Sequence, residues 1–293
     1  MRNFILGTDW WTDCDDAVAI RLLARAVKEE KICLSGIVVN ACMECSIPSI
    51  DGFLWKEGIE VPLALDGEAN DFGGHPPYQK RLSAYAHKYL CNDDAENAVR
   101  LYRRLLADAK EKLEIIEIGY LQAFAALLES GPDDISGKTG KELVEEKVQK
   151  MWVMAGKWDK DGERENNFCR NIRSRAAGAC FCENCPVPVT FLGWEVGHTV
   201  ITGGNLSKDD WLYEALCDHG SFDGRSSWDP MLVLMALIGD ENKAGYDVVT
   251  GWAKVDPETG ANTFVKDENG LHQFVVKKYD DMYYANAINE LIV

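Results

Sequence analysis

Apolar runs of strand length alternate with amphipathic runs of helix length along most of the chain. Segments such as 15–30 and 121–130 place apolar residues at helical spacing. This alternation predicts an α/β fold, with a doubly wound, mostly parallel sheet covered by helices. The runs typical of buried strands cover residues 3–8, 31–40, 61–65, 113–119, 151–156 and 187–193.

The sequence shows neither an internal repeat nor a linker that would divide the chain. We therefore expect residues 1–293 to form a single domain. The last fifty residues contain short polar–apolar alternations separated by turn residues, followed by a helical pattern. They predict a small antiparallel appendage at the carboxyl terminus, closed by a helix.

The formal charge of −17 constrains the partners of the chain. An acidic surface repels phosphate backbones and anionic lipids, so we expect neither a nucleic acid nor a membrane as a partner. No apolar run approaches the roughly 18 residues that span a bilayer, and no signal peptide is evident, so we expect a cytoplasmic protein. The ten cysteines then predict reduced thiols. No GxGxxG motif is present, so no redox cofactor is implied.

Four aspartates crowd the connection after the first predicted strand: Asp9, Asp13, Asp15 and Asp16. Asp15 and Asp16 open a predicted helix, where carboxylates stabilise exposed N–H groups. This structural role leaves Asp9 and Asp13 unexplained. Clustered carboxylates share a proton or bind a cation, and hard oxygen ligands favour Ca²⁺ or Mg²⁺.

Other polar residues follow strands that belong to the same edge of the predicted sheet. Asn40 ends the second strand, and residues 118–119 end the fourth. A polar stretch, 157–167, follows the fifth, and a helix predicted to begin at Asp229 has Pro230 in its first turn. Because ligands bind beyond the carboxyl ends of parallel strands, we expect the functional site here.

Several motifs resemble those of the inosine-uridine-preferring nucleoside hydrolases. The stretch GTDWWTDCDDAVAI (7–20) is similar to the DTDxGxDDAxAI motif of that family, and IVVN (37–40) to a strand ending in asparagine. IGYLQAFAAL (118–127) resembles TGPLTNxALAL, GERENNFCRN (162–171) resembles AExNF, and SWDPMLVLMAL (227–237) resembles the HDP/WDP helix. The resemblance implies a doubly wound fold and a calcium-dependent hydrolase that cleaves a ribosyl N-glycosidic bond.

The resemblance also implies a metal site. Asp9 corresponds to the metal-bound aspartate that activates water, and Asp16 to a bidentate Ca²⁺ ligand. Ile118 corresponds to a residue whose backbone carbonyl binds the metal, and Asp229 to the remaining carboxylate ligand. The loop before Asp15 is two residues longer than in the common motif, so Asp13 is a second candidate for the role of Asp9.

For the substrate, a nucleoside or a related ribosyl compound, the resemblance implies contacts along the same edge. Asp15 corresponds to the residue that contacts ribose hydroxyls, and Asn40, Glu165 and Asn167 to residues that hold the ribose and its 5′ end. Trp228 stands where many members carry the histidine that protonates the leaving purine, and it is a substrate-binding candidate that would stack on the base. Relatives are commonly dimers or tetramers, so a homodimer or homotetramer is expected.

Two other functions are compatible with the sequence. The change at Trp228 leaves open a non-catalytic nucleoside- or sugar-binding protein that retains the metal site. A phosphatase of the haloacid dehalogenase type would require a DxD motif, but Trp11 stands two residues after Asp9. Outside the motifs, His75 follows a strand end and is a further candidate for a catalytic role.

Overall fold

The computed structural model describes residues 1–11, 13–74 and 76–293. Thirteen strands occur within these ranges. They are β1 Arg2–Thr8, β2 Ile32–Val39, β3 Leu63–Leu65, β4 Glu96–Asn97, β5 Leu113–Glu117, β6 Val148–Met154, β7 Glu163–Arg164, β8 Val189–Leu192, β9 Ile201–Thr202, β10 Arg225–Ser226, β11 Tyr246–Val255, β12 Ala261–Lys266 and β13 His272–Lys277.

Helices connect most of these strands. A short 3₁₀ helix, Asn92–Asp94, precedes β4. The α-helices of the described ranges are α1 Asp15–Lys28, α2 Ser46–Glu57, α3 Pro77–Ser83, α4 Ala98–Asp108, α5 Gln122–Glu129, α6 Gly140–Lys147, α7 Asn166–Cys169, α8 Ile172–Asn184, α9 Trp194–Gly197, α10 Trp211–His219, α11 Trp228–Ile238 and α12 Asp281–Ile292.

One large sheet has the strand order β4-β3-β2-β1-β5-β6-β8-β13-β11-β12-β7. All pairings from β4 to β13 are parallel. The chain runs outward from β1 in one direction through β2 and β3, then returns to the other side of β1 as β5. The carboxyl ends of β1 and β5 therefore flank a point where the strand order reverses, which is where ligands bind in such sheets.

The last three strands extend the large sheet. As predicted, β11 pairs antiparallel with β12 and with β13. In addition, β13 lies parallel to β8, with His272 opposite Val189. The separate two-stranded sheet of the molecule is formed by β9 and β10 instead. The predicted mostly parallel α/β fold is confirmed, and its antiparallel part continues the main sheet.

Local sequence explains why the central elements form where they do. Residues 4–8 of β1 are fully buried, as expected for a strand covered by helices on both faces. α1 buries most of its residues and carries Asp15 and Asp16 in its first turn, where the helix dipole favours negative charge. The stretch 157–167, predicted as a loop, contains β7 and the start of α7. No helix in the described part of the chain has the length and apolar character that a bilayer crossing requires.

Candidate active site

A cavity of about 350 Å³ opens at the carboxyl edge of the sheet. Every residue predicted for the site lines it except Asn40. The cavity also contains residues that the sequence did not single out. Its lining consists of Asp9, Asp13, Asp15, Asp16, Ile118, Met154, Glu165, Asn166, Asn167, Arg170, Trp194, His219, Arg225, Trp228 and Asp229.

The connection after β1 folds back so that its carboxylates face the cavity. Trp10 has a φ of 49°, a backbone conformation that is uncommon for residues other than glycine. Its N–H group lies 3.1 Å from Thr8 Oγ1 and 3.3 Å from Asp16 Oδ1, and Thr8 Oγ1 donates to Asp16. Asp9 Oδ1 accepts a bond from Trp11 N–H at 3.1 Å. Backbone and side-chain donors thus fix both aspartates at the floor of the cavity.

Asp229 reaches the same cavity from a distant part of the sequence. Its backbone N–H, in the first turn of α11, donates to Asp15 Oδ2 at 3.1 Å. All of Asp9, Asp15, Asp16 and Asp229 are at least 94% buried. The beginning of α11 therefore meets the beginning of α1, and two segments more than 200 residues apart form one carboxylate cluster.

The charges of this cluster raise the pKa of its members. Burial, followed by the charges of Asp16 and Asp13, raises the pKa of Asp9, and burial with the charges of Asp15 and Asp16 raises that of Asp229. Burial and the charge of Asp13 raise the pKa of Asp16 to about 7. Several buried carboxylates without enough compensating cations are costly unless they bind protons or a cation.

The donor chemistry of the cluster fits a divalent metal ion. Carboxylate oxygens of Asp13, Asp15 and Asp16 all lie within 4.8 Å of one another. Asp9, Asp229 and Ile118 line the same cavity. This set offers hard oxygen donors, which suit Ca²⁺ or Mg²⁺ better than soft metals.

Arg225 provides positive charge that the sequence analysis missed. Its guanidinium donates to Asp13 Oδ2 at 3.0 Å and lies 5.4 Å from the ring centre of Trp228. Its Nε is buried without a hydrogen-bond partner in the described structure. Arg225 lies in the two-residue strand β10, which has no recognisable pattern, so no local signal would have identified it.

The start of α7 forms the opposite wall. Glu165 caps this helix by accepting from Asn167 N–H at 2.9 Å, and it also accepts from Gly156 N–H at 2.9 Å. Burial raises the pKa of Glu165 to about 7. The Asn167 amide donates to Met154 O at 2.8 Å. The resemblance implied that Glu165 and Asn167 belong to the same site, and both line the cavity.

Asn40 lies beneath the cavity and supports the ends of β1 and β5. Its Oδ1 accepts from Tyr120 N–H at 2.9 Å, and its fully buried Nδ2 has no partner within the described residues. A Cβ on Gly119 would come within 2.6 Å of Asn40 Oδ1 and still closer to Asp9 N. The close approach of the strand ends therefore requires glycine at position 119.

Among the aromatic residues, Trp228 and Trp194 line the cavity. The Trp228 Nε1–H group donates to Trp194 O at 2.8 Å. Trp10 packs in the core against Phe53 and Tyr78.

One histidine of the described ranges lines the cavity, His219 at the end of α10, with Nδ1 2.8 Å from Ser221 Oγ. His75, a candidate from the sequence, lies outside the described residues. The ten cysteines form no disulfide.

Comparison with solved structures supports the architecture. An inosine-guanosine nucleoside hydrolase matches with a TM-score of 0.73 and 15% identity, over 100% of this chain and 99% of that protein. The inosine-uridine preferring nucleoside hydrolase from Bacillus anthracis matches with a TM-score of 0.69 and 17% identity, over 100% and 99%. The type III effector protein XopQ, complexed with adenosine diphosphate ribose, matches with a TM-score of 0.68 and 16% identity, over 99% and 93%.

No protein-family model matches the sequence, and no curated protein matches it either. The similarity therefore resides in the three-dimensional arrangement of the elements, over nearly the full length of the solved relatives. The chain therefore has the α/β fold of the nucleoside hydrolases.

Proposed function

We propose that this protein is a metal-dependent hydrolase that cleaves the N-glycosidic bond of a ribonucleoside or a related ribosyl compound. The observation that carries the proposal is the meeting of Asp15, Asp16 and Asp229 with Asp9 in one buried cavity. The structural neighbours support it, since two are nucleoside hydrolases and a third was solved with adenosine diphosphate ribose, a ribosyl compound.

In this proposal Asp9, Asp13, Asp16, Asp229 and the carbonyl of Ile118 would hold the metal. We propose Ca²⁺, because Ca²⁺ takes about six to eight oxygen ligands and suits a site built from many protein oxygens, whereas Mg²⁺ usually keeps several waters. Such a cation, when bound, lowers the pKa of a coordinated water and binds vicinal hydroxyls.

The residues of the chain then have separate roles. Breaking the N-glycosidic bond develops positive charge on the ribose ring, which carboxylates facing the ring stabilise. Asp15 would accept bonds from ribose hydroxyls, while Glu165 and Asn167 would hold the far side of the sugar. Asn40 would act indirectly by positioning Asp9 through the end of β5.

Asp9 is the better candidate for accepting a proton from water. Asp13 is paired with Arg225 at 3.0 Å and its side chain is 27% exposed, whereas Asp9 is buried at the floor of the cavity. A general base needs negative charge close to the reacting water, and a cation is paired with Asp13, whereas the donor to Asp9 is the neutral N–H group of Trp11. We therefore assign the water-activating role to Asp9 and a supporting role to Asp13.

The test is hydrolysis of a nucleoside panel containing inosine, guanosine, uridine, cytidine and adenosine. Release of reducing sugar and free base should require Ca²⁺ and stop with a chelator. Asp16→Asn should abolish turnover, while Asp209→Asn, an exposed aspartate outside the cavity, should retain it. Absence of sugar release by folded, calcium-loaded protein on every substrate would contradict the proposal.

A non-catalytic binding protein is the second candidate. The observation in its favour is that Trp228 lines the cavity where the resemblance implies a histidine, and an indole N–H group, here bonded to Trp194 O, is too weakly acidic to protonate a leaving base. Calorimetric binding of a nucleoside without release of ribose would support this alternative.

A further inference from the structure

Arg170 lies at the exposed side of the cavity lining, and no carboxylate among the described residues neutralises it. It follows α7 directly and is exposed to solvent. Its guanidinium lies 4.8 Å from the ring centre of Trp11 and donates one bond, to Phe72 O at 3.3 Å. Arg170 forms no ion pair within residues 1–11, 13–74 and 76–293. Most of its N–H donors therefore remain available.

Nearby arginines differ in this respect. Arg225, on the other part of the lining, is paired with Asp13 at 3.0 Å. Arg173, in the first turn of α8, is paired with Asp66 at 3.1 Å and lies outside the cavity. Arg170 thus combines two properties that neither of these arginines has: it lines the cavity, and it lacks an anionic partner.

An unpaired arginine at this position is informative because the surroundings are strongly acidic. With a net charge of −17 and six acidic side chains in the cavity lining, the field of the protein opposes an anionic substrate. An anionic substrate group would therefore need a local cation. The planar guanidinium matches phosphate oxygens through paired N–H bonds.

We propose that the substrate carries a phosphate on C5 of its ribose and that Arg170 binds this phosphate. The inference rests on the proposed function, in which the carboxylate cluster holds the 2′- and 3′-hydroxyls. Because C1 carries the leaving base, C5 is the remaining position for a phosphate ester. Glu165 and Asn167, which the proposed function assigns to the far side of the sugar, lie on the same segment as Arg170 and line the same cavity.

The reaction on such a substrate is balanced without a further reactant. The bond between C1 and the base nitrogen breaks, water supplies the hydroxyl on C1, and the remaining proton goes to the base. The phosphate ester stays intact, so the products are ribose 5-phosphate and a free base.

A binding experiment with ribose and ribose 5-phosphate tests the proposal without requiring turnover. Calorimetry on the calcium-loaded protein should show ribose 5-phosphate binding about tenfold or more tightly than ribose, the value of one charge-assisted hydrogen bond. Arg170→Gln should remove this preference, whereas Arg170→Lys should retain part of it. Arg164→Gln changes the net charge equally at an exposed position outside the cavity and should leave the preference intact.

Equal binding of ribose and ribose 5-phosphate by the wild-type protein would overturn the inference. So would an equal loss of preference in Arg164→Gln and Arg170→Gln, since the effect would then be one of overall charge.

Turnover measurements distinguish failure of the phosphate-binding inference from failure of the proposed function. We expect uridine 5′-monophosphate to exceed uridine in kcat/KM, and Arg170→Gln to lower that ratio about tenfold. Hydrolysis of uridine alone would overturn the inference and leave the proposed function standing. Release of inorganic phosphate in place of uracil would contradict both.

Discussion

Asp229 brings the beginning of α11 to the carboxylates of α1. Its buried charge should lower the stability of the metal-free protein. It is buried beside Asp15, and burial and that charge raise its pKa. In metal-free protein we expect Asp229→Asn to raise the free energy of unfolding by about 1–3 kcal/mol, because a repulsive buried charge is removed. Thermal unfolding with a chelator would show a higher Tm than the wild type.

The same substitution should abolish the rise in Tm that Ca²⁺ produces in the wild type, because a ligand is lost. Asp209→Asn is the matched control and should respond to Ca²⁺ as the wild type does. A normal calcium response in Asp229→Asn would exclude Asp229 as a ligand.

The raised pKa of Asp16 predicts a pH dependence for the metal-free protein. Its value of about 7 exceeds the ordinary aspartate value of 3.8, so the folded state takes up a proton more readily than the unfolded state. The stability contributed by that proton is full below pH 3.8 and is lost as pH rises through about 7. Calcium requires the ionised carboxylate, so the Tm difference between loaded and metal-free protein should widen from pH 5.5 to 7.5. A constant difference would contradict this coupling.

His219 lines the cavity, the one histidine of the described residues to do so, and we propose it as the group that protonates the leaving base. The same cavity contains Trp228, whose indole proton is committed elsewhere. We expect His219→Gln to reduce kcat on inosine about 100-fold, a common contribution of a general acid. On p-nitrophenyl riboside, whose leaving group needs no proton, the rate should be almost unchanged. Equal losses on both substrates would indicate a structural role.

At the scale of elements, the glycine at the end of β5 controls how closely the strand ends approach. A Cβ at position 119 would press on Asn40 and on the backbone of Asp9. Gly119→Ala should therefore lower the free energy of unfolding by about 1–3 kcal/mol and weaken the calcium response, since Asp9 must move. Gly137→Ala, where a Cβ meets no atom within 4 Å, is the control and should change neither property. An unchanged calcium response in Gly119→Ala would show that the strand ends can separate without cost.

Elements with strong local patterns were predictable from the sequence, and so were the site residues that lie on them. β1, α1 and the helix containing Asp229 have apolar periodicity and recognisable ends, so the carboxylate cluster could be anticipated. Arg225 and His219 could not, because a two-residue strand and a helix terminus have no pattern that reports on a distant cavity. Arg170 lies within the matched stretch 162–171, but its unpaired charge depends on tertiary contacts.

At the scale of the whole molecule, the carboxyl-terminal residues are part of the core that supports the site. Val275, Ile288 and Ile292 are fully buried in the same hydrophobic cluster as α1. Arg21, buried in α1, bonds to Glu57, to Asp210 and to the carbonyl of Ile292 at 3.0 Å. A buried arginine tolerates such a position only when its partners are present.

These contacts predict that residues 1–293 unfold as one unit. Far-UV circular dichroism and tryptophan fluorescence should report the same midpoint in thermal unfolding, with or without calcium. Removal of residues 281–293 should expose apolar surface against α1 and deprive Arg21 of a partner, lowering Tm by about 5 °C or more, the effect of about 3 kcal/mol or more on a chain of this size. If β11–β13 and α12 formed an independent appendage, limited proteolysis would release a folded core ending near residue 245 that still binds calcium. Since β13 pairs with β8 inside the main sheet, we expect proteolysis to degrade that core instead.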